Sequence, residues 1–110
     1  MRRQFATATA EVLDALPGHM GVFELADDHD DVRFIGYAGG RSLFGLRGEI
    51  RGRLGETGAT RFRYEITTAY LTRYQERLMQ YVARRGGLPP DNDVASVGRL
   101  GRLSPGLSQG

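Results

Sequence analysis

The chain has 110 residues, of which 40% are hydrophobic and 25% are charged. This length and composition predict one globular domain rather than two, and they argue against wholesale disorder. The sequence contains no cysteine, which excludes disulfide bonds, zinc sites built on thiolates and a cysteine nucleophile.

The charged residues are distributed unevenly. All 15 basic residues are arginines, and residues 41–85 contain ten of them against four acidic residues. This basic segment can mark a surface that contacts phosphate groups, or it can reflect a GC-rich coding sequence that uses Arg in place of Lys. No apolar run approaches the roughly 18 residues of a membrane span, and Thr7, Thr9 and Glu11 interrupt any signal-peptide stretch. We therefore expect a soluble, cytoplasmic protein with no membrane partner.

The first half of the chain predicts a helix followed by a β-hairpin. Apolar residues at spacings of three and four indicate a helix over residues 4–16, and the Pro-Gly pair that follows ends it. Two short apolar runs, 20–26 and 32–37, are typical of strands, and the acidic segment 27–31 between them favours a tight turn. The two strands are therefore expected to pair as an antiparallel hairpin.

The second half predicts a helix, a strand and a longer helix. The first helix, over residues 43–54, contains three glycines and depends on tertiary packing. The strand over 60–67 alternates cleanly, with its apolar side chains up to Ile66 expected to face inwards, and Thr68 is the expected cap of a helix that continues to residue 84.

These elements predict an α+β fold class, a small antiparallel sheet of three strands flanked by helices. The expected order is helix, strand, strand, helix, strand, helix. A single domain is expected over residues 1–92. Residues 93–110, which are rich in glycine and have only scattered aliphatic residues, are expected to form an irregular or partly disordered tail.

Several classes of catalytic site are not indicated by the sequence. His19 and His29 have no spaced partner, so a transition-metal site is not expected. The acidic run 27–31 lacks the glycine and the distal glutamate of a calcium loop. No serine lies in a nucleophile elbow, and no glycine-rich loop ends in Gly-Lys-Ser/Thr.

Two tripeptides and three single residues do occur in a distinctive order. They are Gly21-Val22-Phe23 at the start of the hairpin, Phe34-Ile35-Gly36 at its end, Arg47 on the next helix, Glu76 on the last helix and Asn92 after a Pro-Pro pair. In that order they resemble the hallmarks of the GIY-YIG nuclease superfamily. The resemblance covers roughly residues 20–92, and it depends on the ordered set because each tripeptide alone is a weak signal.

The resemblance implies a compact, GIY-YIG-like α/β domain that hydrolyses phosphodiester bonds in DNA with Mg²⁺ or Mn²⁺. In that family a glutamate holds the metal, an arginine contacts phosphate, and a tyrosine hydroxyl lies near the attacking water. The metal neutralises charge that builds on the phosphate, and the arginine adds a fixed positive group. Carried over to this sequence, Glu76 would hold the metal and Arg47 would contact phosphate, with Arg51 as the alternative.

The sequence departs from the family pattern at both motif tyrosines. Phe23 and Phe34 stand at those positions, so both hydroxyl groups are missing. The loss of an acid–base group typically lowers a rate by about 10²–10⁴. Tyr37, directly after the second tripeptide, either supplies a replacement phenol or packs against the following loop.

The glutamate and the asparagine are also imperfect matches. Glu76 lies roughly opposite the apolar stripe of its helix, and the family's alanine-leucine-x-x-glutamate spacing, counted from Leu71, ends on Tyr74 instead. Glu76 is therefore either a metal ligand or a solvated helix carboxylate. Asn92 matches the late asparagine after proline, but it is also an ordinary turn residue.

Three functions follow from these residues. The first is a metal-dependent DNA endonuclease that uses Arg47, Tyr37 and Glu76. The second is a degenerate module that binds nucleic acid without cutting it, and the third is a protein-interaction domain whose arginines meet an acidic partner. In the second, Tyr37 would stack on bases while a set of arginines contacts phosphates. That set is Arg41, Arg47, Arg51, Arg53, Arg61 and Arg63.

The endonuclease is favoured at this point because the arginine, the glutamate and the asparagine all have candidates. A partner protein or a homo-oligomer would supply sequence specificity. Catalysis is supported if Glu76 converges with Arg47 and Tyr37 in one cleft, whereas a solvent-facing Glu76 favours binding alone.

Overall fold

The computed structural model describes residues 4–92. Its strands and helices, in chain order, are β1 (Ala6–Thr7), α1 (Ala10–Asp14), β2 (Gly21–Ala26), β3 (Val32–Ala38), α2 (Gly45–Thr57), β4 (Arg61–Ile66) and α3 (Tyr70–Arg85). All paired strands are antiparallel, in the order β1-β4-β2-β3. The α+β class is confirmed, with four strands in place of the three expected. The expected tail, 93–110, lies outside the described residues.

Strand β2 lies at the centre of the fold and is buried along its whole length. Its side chains alternate between two faces. Phe23 and Leu25 face the layer formed by α1 and α2, and Val22 faces α3. The first face is completed by Leu16, Leu46, Ile50 and Phe62, and the second by Ile35, Tyr74 and Leu78. The sheet is therefore covered by helices on both faces, and β3 is one of its two edge strands.

The glycines of the two tripeptides are required by packing. A Cβ atom at Gly21 would collide with the backbone carbonyl of Glu65 on the neighbouring strand β4. A Cβ atom at Gly36 would lie 2.6 Å from the ring of Phe23 and 2.7 Å from the ring of Phe34. Glycine at these positions allows β2 to pair closely with β4 and allows two aromatic rings to cover β3.

The prediction of a helix over residues 4–16 is wrong in its first half. Ala6 pairs with Phe62, so this segment extends the sheet as β1 and only the short helix α1 follows. The Thr9 hydroxyl accepts the backbone N–H of Val12 at 3.3 Å, which makes Thr9 the N-cap of α1 and not a residue of its interior. Pairing with β4 satisfies the backbone here in place of helical hydrogen bonds.

Three smaller expectations also need correction. Helix α2 starts at Gly45, whose φ is 61°, and not at Leu43 as expected. Leu43 precedes the helix and is 86% exposed. Ile66 at the end of β4 is 51% exposed and does not face inwards. Helix α3 has Ala69 as its N-cap, with no side-chain hydrogen bond, so Thr68 does not cap it.

In the part of the chain that is described, no helix has the length and apolar character of a membrane span.

Two glycine substitutions test the packing of β2. We expect Gly21→Ala to lower the free energy of unfolding by about 1–3 kcal/mol, because the added methyl group must displace the backbone of β4. Gly52→Ala is the control: nothing lies within 4 Å of its added Cβ on α2, so the change should raise stability by about 0.5–1 kcal/mol. Urea unfolding followed by circular dichroism measures both, and a Gly21→Ala protein as stable as the wild type would contradict the account.

Candidate functional site

A cleft of about 710 Å³ lies along the edge strand β3. Its lining consists of the aromatic residues Phe23, Phe34, Tyr37, Tyr70 and Tyr74, the glycines Gly36, Gly39 and Gly40, the charged residues Arg41, Glu49, Arg53 and Asp91, and Ser42, Leu71 and Asn92. A volume of this size is typical of sites that hold small ligands or parts of larger ones. Both tripeptides and Asn92, which carry the family resemblance, reach this one cleft.

The part of the cleft on the α2 side is aromatic. The rings of Phe23 and Phe34 lie with their centroids 6.0 Å apart, tilted by 37°, and they cover Gly36. Phe23 is 1% exposed and Phe34 is half-buried. The guanidinium of Arg53, on α2, lies 5.2 Å from the centroid of the Phe34 ring, at a distance where cations are attracted to aromatic faces.

The part of the cleft on the α3 side is a tyrosine cluster, formed by Tyr37, Tyr70 and Tyr74. The Tyr37 ring stacks on Tyr70 at 5.7 Å and lies 4.9 Å from the Tyr74 ring, tilted by 56°. The Tyr70 hydroxyl accepts the backbone N–H of Gly40 at 3.3 Å, and a Cβ atom at Gly39 would lie 2.6 Å from the Tyr70 ring. The tyrosine cluster therefore fixes the glycine loop after β3.

Residues 91 and 92 close the outer edge of β3. The Ile35 backbone N–H donates to Asn92 Oδ1 at 2.9 Å, and Asn92 Nδ2 donates to the Ile35 carbonyl oxygen, also at 2.9 Å. The Asp91 N–H donates to the Arg33 carbonyl at 2.9 Å, and the Asp91 carboxylate accepts from the Arg33 guanidinium at 2.8 Å. These bonds satisfy backbone groups that an additional strand would otherwise pair.

Asn92 also connects the edge strand to α3. Its side chain lies beside the hydroxyl of Tyr74 and lowers the pKa of that phenol. Burial, with a smaller contribution from Tyr37, raises the pKa of Tyr74 to about 12, while Arg53 and Asn92 act in the opposite direction. Tyr74 is therefore a neutral phenol throughout the physiological range.

Glu49 places a carboxylate in the cleft. The Ser42 hydroxyl donates to Glu49 Oε2 at 3.1 Å, and the same hydroxyl oxygen accepts the backbone N–H of Gly39 at 3.1 Å. The other lining carboxylate, Asp91, is neutralised by Arg33. Within residues 4–92, Glu49 takes part in no ion pair, although Arg41 and Arg53 line the same cleft.

The expected catalytic residues do not meet in this cleft. Arg47 Nε donates to the Leu16 carbonyl at 2.8 Å, so Arg47 holds the segment after α1. The Glu76 carboxylate forms an ion pair with Arg73 at 2.7 Å on a half-exposed face of α3. Neither lines the cleft, whereas Tyr37 does. Because Glu76 lies outside the lining and is paired with a cation, it does not fit the role of a metal ligand in this cleft.

The arginines expected to form one phosphate-binding surface are mostly paired within the protein. The ion pairs are Arg51 with Asp14 at 2.8 Å, Arg53 with Glu56 at 3.0 Å, Arg61 with Asp30, and Arg63 with Glu24 at 2.6 Å. Of these four, only Arg53 lines the cleft, and Arg41 joins it at the rim. The basic segment is therefore largely balanced by acidic residues elsewhere, and two arginines remain for a ligand in the cleft.

Three residues of the cleft are not indicated by the sequence. Glu49 lies four residues before Arg53, so the two share one flank of α2, a spacing that could have indicated a common site. Tyr74 stands where the family spacing ends, and the structure places it in the cleft. Tyr70 gives no signal beyond its place in the apolar stripe of its helix.

Comparison with known families matches residues 1–84 to a family model described as Domain of unknown function (DUF7508). The chain belongs to this family. The match covers both tripeptides, α2 and nearly all of α3, and it ends before Asn92. No curated protein and no solved structure matches the chain. The DUF7508 match bears neither for nor against the GIY-YIG resemblance.

The raised pKa of Tyr74 predicts an alkaline loss of stability in this DUF7508 domain. The folded pKa is about 12 and the unfolded value is 10.0, so the stabilisation is complete below pH 10 and is lost as the pH rises to about 12. Tyr74→Phe removes the titrating hydroxyl group. We expect it to cost about 1 kcal/mol at neutral pH.

Urea unfolding of both proteins at neutral pH and at about pH 11 tests this prediction. The stability difference between them should shift by about 1.4 kcal/mol in favour of Tyr74→Phe at the higher pH. The same alkaline decline in both proteins would show that Tyr74 is not the group responsible.

Proposed function

We propose that this protein binds unpaired nucleic acid in the cleft at β3 and does not hydrolyse it. The observation that carries the proposal is the composition of the cleft, in which partly exposed aromatic rings lie beside two arginines. Aromatic rings that stack on bases, together with arginines that contact phosphates, are the usual means of binding single strands.

Stacking is supported by two of the three half-buried rings at the cleft, Phe34 and Tyr70. Each base stacked on an aromatic side chain typically contributes about 1–3 kcal/mol, and this contribution is tolerant of sequence. Tyr37, the ring expected to stack on bases, is already packed against Tyr70 and Tyr74. The proposal therefore assigns base stacking to Phe34 and Tyr70.

Phosphate contact is supported by Arg41 and Arg53. Arg41 is exposed at the rim of the cleft. Arg53 forms an ion pair with Glu56, but both side chains are about half exposed, at 45% and 65%. An exposed pair of this kind stabilises the protein by less than about 1 kcal/mol, so Arg53 can exchange Glu56 for a phosphate at little cost.

Binding without hydrolysis is supported by the residues that would have to do the chemistry. Phe23 and Phe34 have no hydroxyl group, and Glu76 is engaged by Arg73 away from the cleft lining. A general base works best with a pKa near the operating pH, and the pKa of Tyr74 is raised to about 12. The endonuclease hypothesis is consequently the less supported of the two.

Binding can be measured by the fluorescence anisotropy of a labelled ten-nucleotide thymidine strand. For two phosphate contacts we expect a salt slope of about −1.4, which is roughly sevenfold weaker binding between about 50 and 200 mM salt. Arg53→Gln should reduce the slope by about 0.7. Arg51→Gln is the matched control, because Arg51 lies on the same helix but pairs with Asp14 outside the cleft. Equal effects of the two variants, or no salt dependence, would contradict the proposal.

Cleavage is tested separately with supercoiled plasmid and branched DNA in the presence of Mg²⁺ or Mn²⁺. We expect the DNA to remain intact. Nicking by the wild type that is lost in both Glu76→Ala and Arg47→Ala would support the endonuclease and overturn the proposal of binding alone. The folded state of each variant is checked by circular dichroism.

A further inference from the structure

We propose that the cleft selects guanine among the unpaired bases, and that the Glu49 carboxylate is the group that recognises it. This inference rests on the proposed function and adds to it a named specificity residue. It is carried by a carboxylate of the cleft that accepts one side-chain hydrogen bond, from Ser42, and forms no ion pair among the described residues.

The contacts of Glu49 leave most of its hydrogen-bonding capacity free. A carboxylate can accept about four hydrogen bonds, and among the described residues the one side-chain donor to Glu49 is the Ser42 hydroxyl, at 3.1 Å. Asp91, the second carboxylate of the cleft, is held by Arg33. Glu49 therefore presents a carboxylate with free acceptor capacity to whatever enters the cleft.

The amide of the cleft is already engaged, because the Asn92 side chain bonds both backbone groups of Ile35. Arg41 and Arg53 can only donate, and a phosphate satisfies that need. Glu49 is therefore the charged acceptor that the cleft offers to a base.

Guanine is the base whose edge suits a free carboxylate best. Unpaired bases are read by hydrogen bonds to their Watson–Crick edges. The N1–H and N2–H groups of guanine are adjacent donors that match the two carboxylate oxygens, in the manner of a guanidinium–carboxylate pair. Adenine and cytosine offer one amino donor beside an acceptor, and thymine offers one donor between two carbonyl oxygens that a carboxylate repels.

The placement of Glu49 is compatible with stacking and phosphate contact in the same cleft. Glu49 and Arg53 are one turn apart on α2, on the flank that faces β3. Arg53 lies over the Phe34 ring. A base that replaces Arg53 on the Phe34 ring can turn its Watson–Crick edge to Glu49, while the displaced Arg53 side chain meets the phosphate.

The test measures the affinity of the wild-type protein for ten-nucleotide thymidine strands that carry one central guanine, adenine, hypoxanthine or 7-deazaguanine. A bidentate contact should make the guanine strand bind about tenfold more tightly than the adenine strand. The 7-deazaguanine strand keeps N1–H and N2–H and should bind as guanine does, whereas hypoxanthine lacks the N2 amine and should lose most of the preference. Equal binding of guanine and adenine, or a loss with 7-deazaguanine, would overturn the inference.

Glu49→Gln should reduce the guanine preference to within about twofold, and should leave binding of the pure thymidine strand equal or tighter. Glu11→Gln is the control, because it removes an exposed carboxylate of α1 outside the cleft. If Glu49→Gln does not fold, the base series with the wild type decides the question alone. Binding of all strands without preference overturns only the guanine inference, whereas no binding of any strand overturns the proposed function with it.

Discussion

The side-chain amide of Asn92, bound to both backbone groups of Ile35, is the interaction on which the cleft depends. It satisfies the outer edge of β3 with two hydrogen bonds of 2.9 Å, each of which typically contributes about 1 kcal/mol. The same amide lies beside the Tyr74 hydroxyl, so it also links the edge strand to α3. Tyr74 in turn positions Tyr37, and Tyr37 positions Tyr70 over the glycine loop. One polar side chain thereby connects the sheet, the last helix and the loop that together surround the cleft.

The parts of the fold that could be predicted from the sequence are those with local causes. The hairpin, β4 and α3 follow from hydrophobic periodicity and from turn residues, and their bounds differ from expectation by only one or two residues. Strand β1 could not be predicted in this way, because two residues form a strand only when a distant partner, here β4, lies beside them. The stripe from Phe5 to Leu16 matches a helical spacing, yet the pairing of Ala6 with Phe62 overrides it.

The candidate site was predictable in its location but not in its chemistry. The ordered tripeptides indicate which strands meet, and the structure brings Phe23 and Phe34 into one cleft. Helical spacing alone does not say which flank of α2 faces that cleft, so the sequence favours Arg47 although Arg53 is the arginine that reaches it. Ion pairs across the fold are equally invisible, since the carboxylate partners come from distant parts of the sequence. Charge counted along a segment therefore overstates the positive charge available to a ligand.

The most direct test of the central claim, that ligand binding takes place at the edge of β3, is an amide-resolved NMR titration of the ¹⁵N-labelled protein with a thymidine strand. Glycine amides give well-separated signals, and Gly36, Gly39 and Gly40 line the cleft. The account predicts shifts concentrated at these three glycines, with Gly52 and Gly86, which lie outside the lining, unchanged. Shifts that spare the cleft glycines, or that centre on the two outside it, would contradict the account.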